Sequence, residues 1–188
     1  MTVLNGITAQ RGETAWMRRS AASAIHPVSP TNVLVSMALL ALLAGLLLCL
    51  SDRPAESAWL IPALPLLQGM NLFGSAGAWL PSFVHPFGFS LLTAAALPDR
   101  ASWRYGACLG WFVVNAAFEF GQLPQLATRL ADVIHAVFGS APVGQRLTWY
   151  FMHGRFGNDD LAAAAAGALC AALVLRLTVA LGEHRHAR

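Results

Sequence analysis

The sequence predicts an all-α, polytopic membrane protein with four transmembrane helices and an interfacial helix in the last outer loop. Three observations lead to that class. The 188 residues are 56% hydrophobic and only 11% charged, too few charges to solvate an ordinary globular surface. The apolar residues gather into stretches approaching the roughly 20 residues needed to cross a bilayer. Between them lie clusters of Pro, Gly, Asp and Arg that interrupt helices. The net charge of +3 comes from arginines scattered along a chain without lysine, and without a basic stripe nucleic-acid binding is not expected. Cys49, Cys108 and Cys170 each fall inside apolar runs, far from any Cys-x-x-Cys spacing. They read as small packing residues, not as a disulfide framework or zinc site.

Residues 1–31 are polar, carry Arg11, Arg18 and Arg19, and read as a cytoplasmic arm. A membrane domain over 32–182 follows. Asn32 can cap a first span over 33–50, a stretch with no charge. It is long for a signal peptide and lacks a small-residue cleavage site. Residues 58–73 are apolar but interrupted by Pro62 and Pro65, which suits an interfacial or re-entrant segment better than a span. The second span covers 79–97, entered through Pro81 and kinked near His85-Pro86. Leu97-Pro98-Asp99-Arg100 ends it. The third runs over 103–122, with Trp103 and Tyr105 as interface anchors.

Residues 123–157 form the longest polar connection. Within it Leu126, Leu130, Val133, Ile134 and Val137 recur at helical spacing opposite Gln125, Arg129, Asp132 and His135, the pattern of a helix lying on a membrane surface. Trp149 and Tyr150 suit its far anchor. The fourth span, 160–181, opens with five alanines and Gly167, a thin face fit for close helix packing. Residues 183–188 form a second cytoplasmic tail. Arginines near the span ends favour both termini in the cytoplasm of a bacterial inner membrane.

The polar residues inside these spans are the candidate site. Asn115, Glu119 and Gln122 are spaced i, i+4, i+7 and share one helical face. A carboxylate at the bilayer centre costs about 3 kcal/mol on insertion scales, so such a residue points to function. In the four-span arrangement His85, Glu119 and Asp160 come from three helices and share one depth, with Arg129 and Arg155 in the intervening loop. Each also has a plainer reading: Asp160 as a helix cap after Asn158-Asp159, His85 as an interfacial residue, Glu119 reaching toward the headgroups. His135, His153 and Asp132 lack metal-ligand spacing, and neither metal nor cofactor is expected.

At these residues the chain resembles the VanZ-like family of small bacterial membrane proteins. Its members carry a histidine near the outer end of one span and a Glu-x-x-Gln closing the next. An arginine-containing loop then leads to Asp-Leu, with a glycine seven residues after the aspartate. His85, Glu119 and Gln122, Arg155, Asp160-Leu161 and Gly167 match in that order, over the last three spans. Where the family often has an aspartate three residues before Asp-Leu and an asparagine four after it, this chain has Gly157 and Ala164. It also carries extra residues between Gln122 and Arg155. The resemblance implies a four-helix membrane domain that acts on headgroups of envelope lipids or polyprenyl-linked precursors.

In that reading Glu119 or His85 is the general base or nucleophile, Asp160 orients His85, and Arg155 holds a phosphate. Gln122, Asn115 and Arg129 complete the substrate-binding surface. The alternative is a non-catalytic protein that binds an envelope lipid or a partner membrane protein, with the same groups acting as helix glue.

Overall fold

A computed structural model describes residues 29–52, 70 and 72–186, with side chains described as far as Leu181. Most of the predicted arm, and most of the 58–73 segment, lie outside the described residues. Among those described there are six α-helices and no strand. The first, α1 (Pro30–Ser51), is capped by Ser29, whose hydroxyl accepts from the Asn32 amide at 3.2 Å. The cap therefore precedes the expected Asn32 by three residues. Pro30 makes the difference, because its missing N–H is one that a first helical turn leaves unused.

Asp52 closes α1 and ties it to the next described stretch. Its carboxylate accepts from the Ser51 hydroxyl at 2.6 Å and from the backbone N–H groups of Leu72 and Phe73 at 2.7 and 2.8 Å. Desolvation pushes this carboxyl up, but the Ser51 hydroxyl and the amides of Phe73, Leu72 and Gly74 outweigh it. Its pKa therefore lies below the ordinary 3.8. A 3-10 turn, Gly74–Gly77, leads into α2 (Leu80–Ala96). That helix continues unbroken through Pro86, which has no N–H to donate to the Ser82 carbonyl. The Leu97–Arg100 turn reverses the chain into α3 (Ala101–Gly121).

The 123–157 connection holds two helices where one was expected. Pro124 opens α4 (Pro124–Phe138) and Pro142 opens α5 (Pro142–His153). Gly139, at φ 54°, makes the turn between them, a conformation that glycine reaches without steric penalty. They form a hairpin around Ala127, Ile134 and Phe151, with Leu130, Leu147 and Tyr150 beside them. The last helix, α6 (Asn158–His186), carries Asp159 and Asp160 in its first turn, where carboxylates complement the helix dipole. It continues past the predicted end of the span at 181, into the stretch assigned to the tail.

Helix α2 packs against α1, α3 and α6, and α3 also meets α6. The interior is built from Leu34 and Ala38 of α1, Leu91 and Ala94 of α2, Cys108 of α3, and Ala171 and Leu175 of α6. Small residues let the backbones approach. A Cβ on Gly88 would meet the Leu42 side chain at 2.7 Å, and one on Gly167 would run into the carbonyl of Phe83. The expected thin face of the last helix is thus used against α2.

Two helical stretches, Pro30–Ser51 and Asn158–Leu181, are long and apolar enough to cross a membrane. Helix α2 has only 17 residues, and α3 carries Arg104, Asn115 and Glu119. The surface of the bundle is strongly apolar. Leu39, Leu40 and Leu43 of α1, Leu109 and Val113 of α3, and Leu169, Leu173 and Leu177 of α6 are all exposed.

Candidate functional site

The end of the bundle that carries Ser51, Leu80, Gly121 and Asn158 gathers most of the polar side chains singled out in the sequence. Aromatic contacts fix the register of α2 against α3. The Phe89 and Trp111 rings stack at 4.7 Å, and Trp111 Nε1 donates to Thr93 Oγ1 at 2.9 Å. In an antiparallel pair, one turn further toward this end brings His85 level with Asn115. A second turn brings Ser82 level with Glu119. The face is spaced Ser82, His85, Phe89, Thr93, which is i, i+3, i+7, i+11.

Glu119 and Asp160 come together at Gly157, in the short linker before α6. Glu119 Oε2 accepts from the Gly157 amide at 3.5 Å, a long hydrogen bond. A Cβ on Gly157 would stand 2.6 Å from Asp160 Oδ2. Both carboxylates therefore border the same glycine, although they lie far apart in sequence. A side chain at 157 would therefore have to displace the Asp160 carboxylate from its present position. Asp160 is held from the other side by Ser82, whose hydroxyl donates to Oδ1 at 2.6 Å. Such a short bond to a charged acceptor is of the stronger kind.

Gln122 has a different environment. It is 8% exposed, its Nε2 donates to the Tyr150 hydroxyl at 2.9 Å, and its side chain fills the space where Gly154 lacks a Cβ. Phe118 meets Tyr150 edge-on at 5.9 Å and stacks on Phe151 at 5.7 Å, while Phe120 stacks on Phe156 at 5.5 Å. These contacts fasten segment 150–157 around the end of α3 and so hold Gly157 against Glu119. The amide of Gln122 is engaged in this fastening.

The remaining predicted residues are distributed around this centre. His85 is exposed, with its ring 6.1 Å from that of Phe89. Asn115 is half-buried, and its Nδ2 donates to the Trp111 carbonyl of its own helix at 2.8 Å. Arg155 is exposed in the linker, two residues before Gly157, and Arg129 is exposed on α4. The structure thus brings Glu119 and Asp160 together and sets His85 one turn from Ser82. Gln122 lies beneath, and Arg129 is carried out on the hairpin.

Sequence reading missed Ser82, Gly157 and Tyr150 as members of this arrangement. Ser82 did leave a signal, since it shares the helical face of His85 and Thr93. Among the described residues no group of three His, Cys, Asp or Glu side chains is placed to hold a metal ion. Comparison of the chain with protein-family models, curated proteins and solved structures gives no match.

Proposed function

We propose that the chain is a VanZ-like, four-span protein of a bacterial inner membrane, with both termini cytoplasmic. In this reading α1, α2, α3 and α6 cross the bilayer and α4–α5 lies at its outer surface. The polar end of the bundle acts on headgroups of envelope lipids or polyprenyl-linked precursors. The exposed leucines and valines of α1, α3 and α6 support the membrane setting, because a water-facing surface of that composition would aggregate.

The observation that carries the functional reading is the meeting of Glu119 and Asp160 at Gly157 beside Ser82. A cluster of acceptors at the end of an apolar bundle suits a substrate with a polar head and an apolar tail. Glu119 or His85 serves as base or nucleophile toward the headgroup, Asp160, held by Ser82, orients His85, and Arg155 pairs with phosphate. Arg129 and Asn115 extend the contact surface, and Gln122 positions the wall.

The test is purified protein in lipid nanodiscs with labelled envelope lipids and polyprenyl-linked precursors, wild type against Glu119→Gln. Turnover that disappears in the variant supports the catalytic reading. The second reading, a non-catalytic lipid or protein binder, draws on the internal partners of the polar groups: Ser82 for Asp160, Tyr150 for Gln122, Trp111 for Asn115. Tight binding without turnover in either form supports it.

A further inference from the structure

The apolar arc of α4 is wider than α5 covers. Ala127, Leu130 and Ile134 face the hairpin core, yet Leu126, Val133 and Val137 are 42%, 59% and 69% exposed. These three are spaced i, i+7, i+11 and form one continuous stripe along the helix. Arg129 is three residues after Leu126 and four before Val133, so its exposed side chain rises at the edge of the stripe. Asp132 and His135 lie progressively further round the helix, away from the stripe. Over the whole hairpin and its linker, residues 124–157, Arg129, Arg146 and Arg155 stand against the single acid Asp132. The hairpin is bolted to α3 at Phe118 and Gln122, where the exposed apolar belt of the bundle ends.

We propose that the α4–α5 hairpin docks on a phospholipid surface of net negative charge, with Leu126, Val133 and Val137 immersed and Arg129 on the headgroup phosphates. The inference rests on the membrane reading above and adds lipid selectivity to it. Apolar burial supplies adhesion, and arginine against an anionic surface supplies the preference. Because segment 150–157 both ends the hairpin and carries Gly157, lipids gathered under α4 lie on the side of the bundle where Glu119 and Asp160 meet.

The test uses full-length chain with Cys49, Cys108 and Cys170 replaced by alanine, and single nitroxide labels at Leu43→Cys, Val133→Cys or His135→Cys. Each is reconstituted in nanodiscs of phosphatidylcholine, with or without phosphatidylglycerol. The label at 133 is expected to collide with oxygen in preference to a water-soluble nickel chelate, severalfold more so when phosphatidylglycerol is present. The label at 135 should show the reverse preference for the chelate. Arg129→Gln should remove the dependence on phosphatidylglycerol and leave the label at 43 unchanged. A label at 133 as open to the chelate as that at 135, or equally immersed in both lipids, overturns the proposal. So does shielding from both reagents, which means a protein partner or a second copy. A label at 43 found in water overturns the membrane reading itself, so the two failures are distinguishable.

Discussion

Two glycines ten residues apart set the dry and the polar parts of the molecule side by side. Gly167 lies where α6 crosses α2, against the main-chain carbonyl of Phe83. Gly157 lies in the linker before α6, against the carboxylate of Asp160 and the reach of Glu119. A Cβ would meet an obstacle at both positions, but of different kinds. At Gly167 the obstacle is backbone held by two helices and cannot yield. At Gly157 it is the end of a carboxylate side chain that can swing away. One glycine therefore guards the fold and the other guards an arrangement of polar groups.

Substitutions should separate the two. Gly167→Ala has the largest expected effect on stability, about 1–3 kcal/mol or more, because overpacking a helix crossing forces the backbones apart. Thermal unfolding in detergent should show it as a large drop in Tm. Gly157→Ala should leave Tm nearly unchanged while displacing Asp160 from Ser82. Lipid turnover, or headgroup affinity for a binder, is then expected to fall about tenfold, equivalent to about 1.4 kcal/mol. Loss of Tm in Gly157→Ala with unchanged turnover or affinity would reverse the assignment of the two positions.

A smaller change is expected from Tyr150→Phe, which removes one hydrogen bond to Gln122, worth about 0.5–1.5 kcal/mol. It should raise amide exchange over 150–157 before it lowers Tm. Asp52 gives a pH-dependent case. Its pKa is lower in the folded chain than its ordinary 3.8, so its stabilisation is fully present above that value and is lost as pH falls through the folded pKa. Exchange at the Leu72 and Phe73 amides should accelerate in Asp52→Asn at neutral pH, and the wild type should lose its advantage only in acid. Least of all, Gly110→Ala in α3, where a Cβ would meet nothing within 4 Å, should be neutral or stabilising by about 0.5–1 kcal/mol.

The helices were legible because their apolar stretches are long and their ends are marked by proline and charge. Spans expected at 33–50, 79–97, 103–122 and 160–181 fall on helices 30–51, 80–96, 101–121 and 158–186. The second helix of the 123–157 connection was harder to read. Its sequence, Pro142-Val-Gly-Gln-Arg-Leu-Thr-Trp-Tyr, mixes polar and aromatic residues, and only the seating of Phe151 and Leu147 against α4 makes its apolar side evident. In the site, Glu119 and Asp160 stood out because carboxylates are rare in such a chain. Ser82 did not, since a lone hydroxyl in an apolar stretch is unremarkable until Asp160 is beside it. Gln122 and Tyr150 were read separately, one as a site residue and one as an anchor, because their hydrogen bond spans 28 positions.

The brevity of α2 has a consequence for a surrounding bilayer. Its 17 residues span about 25 Å, less than the roughly 30 Å of a typical hydrocarbon core. Its neighbours α1 and α3, with 22 and 21 residues, come closer to matching that thickness. In the four-span reading a central helix this short, enclosed by α1, α3 and α6, would leave a mismatch with the bilayer that costs a fraction of a kcal/mol per Å. A mismatch on the Ser82 side would draw phosphates down toward Asp160 without any part of the protein having to move.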